Sequence, residues 1–115
     1  MRKLKSLALL AFVALAVTAC SGSKQDVEQA PEQELYSTGQ TYLQKGDYSQ
    51  AIRYLTAVDN RFPGSSYSEQ VQLNLIYAYY KSQDYTEMLV TVDRFIQRFP
   101  HSDHLDYALY MAGLA

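Results

Sequence analysis

Apolar residues recur at three- and four-residue spacing through most of the chain beyond Pro31. Leu35, Gly39, Tyr42 and Leu43 make one stripe, and Tyr48, Ala51, Ile52, Leu55 and Val58 make a second. Leu73, Ile76, Tyr77 and Tyr80 form a third, and Leu89, Val92, Phe95 and Ile96 a fourth. This is the period of α-helices that each turn one side to a core. No segment alternates apolar and polar residues long enough to argue for a strand, so an all-α domain is expected. The boundaries agree with the stripes. Asp47 with Gln50, Ser66 with Glu69, and Asp84 with Glu87 place a capping acceptor three residues before an acid or amide, which is the capping-box pattern. Gly46 marks a stop, and Pro63-Gly64 and Pro100 close the second and fourth helices. The pattern predicts helices near 32–45, 48–61, 67–82, 85–98 and 104–114.

The helices come in a repeated order. Gly46-Asp47-Tyr48 returns as Gln83-Asp84-Tyr85, Arg61-Phe62-Pro63-Gly64-Ser65 as Arg98-Phe99-Pro100-His101-Ser102, and Tyr42 as Tyr79, each 37 residues on. Gly39 and Gly113 are separated by 74, two such intervals. A period of this size signals helix pairs stacked side by side.

The first 19 residues have a different character. Arg2, Lys3 and Lys5 precede an apolar run from Leu7 to Val17, with small residues at Thr18 and Ala19. These are the zones of a secretory signal, and the run is short of the ~20 residues that span a bilayer. Val17-Thr18-Ala19-Cys20 is similar to the lipobox of bacterial lipoproteins, which implies cleavage before Cys20 and lipid on its thiol. Cys20 is the only cysteine, so no internal disulfide is possible, and acylation accounts for an otherwise unpaired exported thiol. Two or more acyl chains give stable anchoring, since each buried methylene contributes ~0.8 kcal/mol. Ser21 follows where an aspartate favours inner-membrane retention in similar lipoproteins, so the resemblance points to the outer membrane. The expected division is a signal over 1–19, a lipidated flexible tether over 20–31, and a repeat domain over 32–115 with hairpins 32–63, 66–100 and a partial third at 103–115.

Charge narrows the partners. Without the signal, seven Lys/Arg face twelve Asp/Glu, and no basic cluster exists. Nucleic acid is not expected as a partner. Catalysis has little support: no nucleophile stands at readable spacing from a base, and no glycine-rich phosphate loop is present. His101, Asp103, His104 and Asp106 lie close in sequence, but helix capping and solvent exposure explain them better than a metal. The expectation is a protein that is not an enzyme and needs no cofactor beyond covalent lipid on Cys20.

Leu35, Gly39, Tyr42, Gly46, Tyr48, Ala51, Leu55 and Pro63 resemble the tetratricopeptide repeat, and Leu75, Tyr79, Tyr85 and Pro100 continue it. The second unit departs by carrying Ile76 for the small glycine and Met88 for the alanine, which predicts a looser or splayed second hairpin. The interval of 37 exceeds the usual ~34, implying a longer connection between hairpins. Cys20 to Lys24, Leu35-Tyr36, the stretch from Tyr67 to Lys81, Asp93 to Ile96, and Asp106 to Met111 together resemble the BamD (YfiO/ComL-type) lipoprotein family. That resemblance implies a tetratricopeptide-like solenoid of about two and a half repeats, corresponding to the front half of a family member. It further implies a lipid-anchored subunit of the machine that folds β-barrel proteins into the outer membrane. Its partners would be other subunits of the machine, including the β-barrel subunit, and unfolded outer-membrane protein precursors. A different reading, an envelope lipoprotein adaptor for other periplasmic or secretion-system partners, is open at this point.

Mapped onto the repeat, the concave positions are Tyr36, Gln40 and Leu43 in the first unit, Leu73, Asn74, Tyr77, Tyr80 and Lys81 in the second, and Tyr107 and Tyr110 in the third. Tyrosine suits a peptide groove because it offers a rigid apolar face and a hydroxyl that pairs. Lys81 is available for a carboxylate, or is an ordinary lysine near a helix C-terminus. Tyr42, Tyr48, Tyr79 and Tyr85 are assigned to packing, while Tyr77 and Tyr80 are open to both roles. Ala115 falls within the third hairpin, so the 20–115 product alone is expected to be marginal, with the apolar side of Tyr107, Leu109, Met111 and Leu114 uncovered.

Overall fold

The computed structural model describes residues 27–115; the signal segment, the lipobox with Cys20 and most of the expected tether lie outside the described residues. The described helices are α1 (Glu32–Lys45), α2 (Tyr48–Arg61), α3 (Ser68–Lys81), α4 (Tyr85–Arg98) and α5 (Leu105–Gly113). They pair in order, α1 with α2, α2 with α3, α3 with α4 and α4 with α5. This all-helical succession of hairpins is the tetratricopeptide-like solenoid expected from the repeat. The first, second and fourth helices keep their expected bounds; α3 and α5 are one residue shorter at each end.

Local chemistry accounts for these ends. Asp47 Oδ1 accepts from the Gln50 amide at 3.2 Å, and Asp84 Oδ1 from the Glu87 amide at 3.3 Å. Each satisfies an orphan donor at a helix start. Ser66 does not cap α3. Instead Ser65 Oγ accepts from the Tyr67 amide at 2.9 Å, and Tyr67 is the N-cap residue. Gly46 ends α1 in the left-handed region at φ 76°, with its amide on Leu43 O and that of Asp47 on Tyr42 O. Gln83 repeats this closure at φ 61°, donating to Tyr80 O while Asp84 donates to Tyr79 O.

Two core clusters stand one repeat apart. Leu35, Ala51, Leu55, Val58, Val71 and Leu75 belong to the first; Ile76, Met88, Val92, Phe95, Ala108 and Met111 belong to the second. Helix α3 serves both, which leaves residues 71–76 buried without interruption. A single repeat cannot cover its own apolar sides, so stacking does it. Gly39 explains the tight first hairpin: a Cβ there would lie 2.8 Å from Cγ and Cδ2 of Leu55. In the second hairpin Ile76 occupies that register and Val92 replaces the leucine, so added bulk meets a shorter partner. Helices α1 and α2 approach over more of their length than α3 and α4 do.

The Arg-Phe-Pro motifs close the open ends of the hairpins. Arg61 donates to Val27 O at 2.9 Å and Ala30 O at 2.8 Å, and stacks on Phe62. Arg98 donates to Pro63 O at 3.0 Å and Asp59 Oδ1 at 2.8 Å, and stacks on Phe99. Each arginine thus reaches back toward the segment that precedes its own hairpin. Ser65 bonds Glu32, and Ser102 bonds Glu69, at the same repeat offset. Over 27–30 the structure departs from the flexible tether expected at 20–31. Residues 27–29 are helical, and Val27 and Ala30 pack on the first core while Arg61 holds their carbonyls.

Candidate functional site

The expected concave residues divide by burial into interior and surface groups. Leu73 and Asn74, expected to contact a ligand, are only 7% and 8% exposed. Leu73 belongs to the second core, and Asn74 Oδ1 accepts from Gln70 Nε2 at 2.9 Å. Both are interior because α3 is covered from two sides, which a single stripe of sequence does not reveal. Tyr36, Gln40 and Tyr80 are half-buried, and Lys81 is exposed. Tyr77 is 37% exposed, Tyr107 36% and Tyr110 64%.

The tyrosines are not independent. Tyr36 stacks on Tyr67, ring centroids 4.2 Å apart and planes within 13°. Tyr48, at the start of α2, meets Tyr77 of α3 edge-on at 6.0 Å. Tyr80 lies 6.1 Å from Tyr85 across the α3–α4 turn. Offset and edge geometries of this kind hold aromatic rings in place. The hydroxyl titrations follow from these surroundings. Tyr48 is raised above its ordinary pKa first by its hydrogen bond with Tyr77. Tyr107 is raised by burial and then by the proximity of Tyr77, and Tyr36 by burial and then by Tyr67. Tyr48 and Tyr77 thus meet between α2 and α3, and Tyr107 stands on α5, which packs against α3.

Sequence reasoning placed Tyr48 and Tyr85 in the packing set and passed over Tyr67. Their repeat positions gave no sign of the contacts they make across helices. A cleft of about 180 Å³ lies among Tyr80, Lys81, Gln83 and Tyr85. A second, of about 360 Å³, opens between the start of α3 and the α4–α5 connection, lined by Glu69, Gln70, Leu73, His101, Asp103 and His104 among others. Among the described residues no three His, Cys, Asp or Glu side chains are placed to hold a metal ion.

Residues 28–115 match the family described as YfiO, outer membrane lipoprotein. The chain belongs to that family. Membership places it at the outer membrane, and among the described residues no helix is long and apolar enough to cross one. Related family proteins carry the name outer membrane protein assembly factor BamD. The chain is 72% identical over 114 residues to the one from Pasteurella multocida, covering 99% of this chain and 44% of that relative. Identity is 60% to the Haemophilus influenzae protein, over 99% of this chain and 43% of the relative. It is 32% to a Neisseria meningitidis serogroup B relative, over 96% and 44%. The chain thus spans less than half the length of these relatives.

Proposed function

We propose that this chain is a lipid-anchored scaffold for assembly of outer-membrane β-barrel proteins. Cys20 carries the lipid, and the tyrosine-rich face of α1, α3 and α5 receives partner subunits and unfolded barrel precursors. The observation that supports this most directly is the contact of Tyr48 with Tyr77 between α2 and α3, with partly exposed Tyr107 and open Tyr110 on α5, which packs against α3. Preordered rings lose little freedom on binding, and partly exposed aromatic rings are the residues that anchor interfaces. Relatives named as assembly factors support the same setting. The role is binding and positioning rather than covalent chemistry.

Photo-crosslinking in cells tests the face. A photoreactive residue at Tyr110 or Tyr77 is expected to capture the β-barrel subunit or unfolded precursors, whereas one at Asn60 or Gln97 is not. Equal capture from all four positions would overturn the assignment. Radiolabelled palmitate tests the anchor: incorporation is expected in the parent chain and absent from Cys20→Ser. Recovery from solubilised outer membrane with other envelope proteins, and without the barrel subunit, would favour the adaptor reading instead.

A further inference from the structure

The two hairpins share one register, so each residue of the second can be compared with its counterpart in the first. Leu35 is fully buried in the apolar core between α1 and α2. Its counterpart one repeat on is Gln72, which is equally inaccessible at 0% exposure. Neither Oε1 nor Nε2 of Gln72 has a protein partner. Gln72 lies one turn before Ile76 on the same side of α3, and Ile76 belongs to the core formed with Met88, Val92 and Phe95. A buried amide among apolar side chains disfavours the closed arrangement, because opening lets both atoms reach water.

What opposes that tendency is polar and lies at the same end of the hairpin. Arg98 ties the end of α4 to Asp59 and Pro63 O, and Ser102 ties the following connection to Glu69. A second unfavourable element sits at the opposite end, where Gln83 adopts the left-handed backbone that Gly46 adopts in the first hairpin. A side chain is disfavoured in that region where glycine is not.

We propose that the α3–α4 junction is a latched hinge, with Gln72 as the residue that sets its opening equilibrium and Arg98 with Ser102 as the latch. Release at the Arg98 end swings α4 away from α3 and carries α5 with it. Tyr107 and Tyr110 then move relative to Tyr77, so the width of the tyrosine face is adjustable. The use of this motion in binding rests on the function proposed above; the opening itself does not.

Amide hydrogen exchange on the full chain reads the opening alone. Gln72→Leu, the residue of the first hairpin at this register, is expected to slow exchange in the last two turns of α4 by about tenfold or more, with α2 unchanged. Arg98→Met is expected to speed exchange in the same turns. Simple fraying of a late helix would speed α4 without responding to residue 72. Gln72→Met, unbranched and adaptable, decides the matter if the leucine variant misfolds. Unchanged or faster exchange of α4 in the folded residue-72 variants would overturn the hinge. Photo-crosslinking from Tyr110 is a separate readout, so loss of binding with the exchange result intact would reject the functional reading only.

Discussion

Gly39→Ala is a sharp test of how these hairpins are built, because two opposing effects at one residue have known sizes. Alanine in place of a mid-helix glycine favours the helix by ~1 kcal/mol. The new methyl, however, would stand 2.8 Å from Cγ and Cδ2 of Leu55, where carbon contacts are comfortable at ~3.5–4.0 Å. Leu55 is fully buried and cannot swing into solvent. Either its side chain leaves its rotamer or α1 and α2 move apart, and overpacking of this kind costs ~1–3 kcal/mol. The steric effect wins, and a net loss of ~1 kcal/mol is expected.

The second hairpin supplies the compensating change. Ile76 stands in the register of Gly39, and Val92 in that of Leu55. Shortening Leu55 to valine removes Cδ2, one of the two atoms at 2.8 Å, so Gly39→Ala should cost less in a Leu55→Val background than in the parent. Four proteins complete the cycle: parent, each single variant and the double, followed by far-ultraviolet circular dichroism in urea. A coupling in the relieving direction is expected, larger than the ~0.3–0.5 kcal/mol within which independent sites add. Simple additivity, or a Gly39→Ala variant more stable than the parent, would show that close approach is not what glycine provides there.

Gln83→Gly should raise stability by up to ~1 kcal/mol by relieving the left-handed backbone, and Gly46→Ala should lower it by a similar amount; thermal melts check both, and opposite signs would reject the argument. Arg98→Met should cost ~1–2 kcal/mol because it removes a 2.8 Å bond to Asp59 and one to Pro63 O. Arg94→Met should cost less than ~0.5 kcal/mol, since that more exposed arginine lies 3.8 Å from Asp59; equal losses in urea unfolding would contradict the distinction. Tyr36, Tyr48, Tyr79 and Tyr107 all titrate above 10.0 in the folded chain. Their contribution is therefore intact below that pH and is lost as pH rises through the folded values. The urea midpoint should hold steady up to about pH 9.5 and then fall as tyrosine ionises, and a flat midpoint through that range would count against it.

Most of the fold was legible because the repeat wrote each feature twice. Asp47 and Asp84 cap, Gly46 and Gln83 close, and each does so where its spacing required. Ser66 misled because its neighbour Ser65 is the serine held by Glu32, and a hydroxyl already placed by that bond takes the Tyr67 amide. Leu73 and Asn74 misled for a different reason. A helical stripe indicates one covered side, but α3 has neighbours on two, and only the third hairpin position reveals the second. The tyrosine contacts were not legible because Tyr36 with Tyr67, and Tyr48 with Tyr77, are about 30 residues apart in sequence. Their pairing depends on how α1 and α2 stack against α3.

The position of α3 also bears on where the proposed binding face lies. Covered by α2 on one side and by α4 and α5 on another, it has little freedom to turn, and the surface it retains is fixed by what its neighbours leave open. Tyr77 and Lys81 occupy that remainder, and Tyr77 is steadied further by Tyr48 and lies near Tyr107. Its ring is thus presented from a helix packed on two sides, while Tyr110 projects from α5 with most of its ring exposed. The same arrangement predicts unequal consequences of substitution. Replacing Tyr110 by alanine should weaken capture without altering stability, because its ring is mostly in water. Replacing Tyr77 should do both, since its edge-on contact with Tyr48 is lost with it. Urea midpoints measured beside crosslinking yield separate the two; a Tyr110→Ala variant as destabilised as Tyr77→Ala would remove the distinction between a ring held by a neighbour and one in solvent.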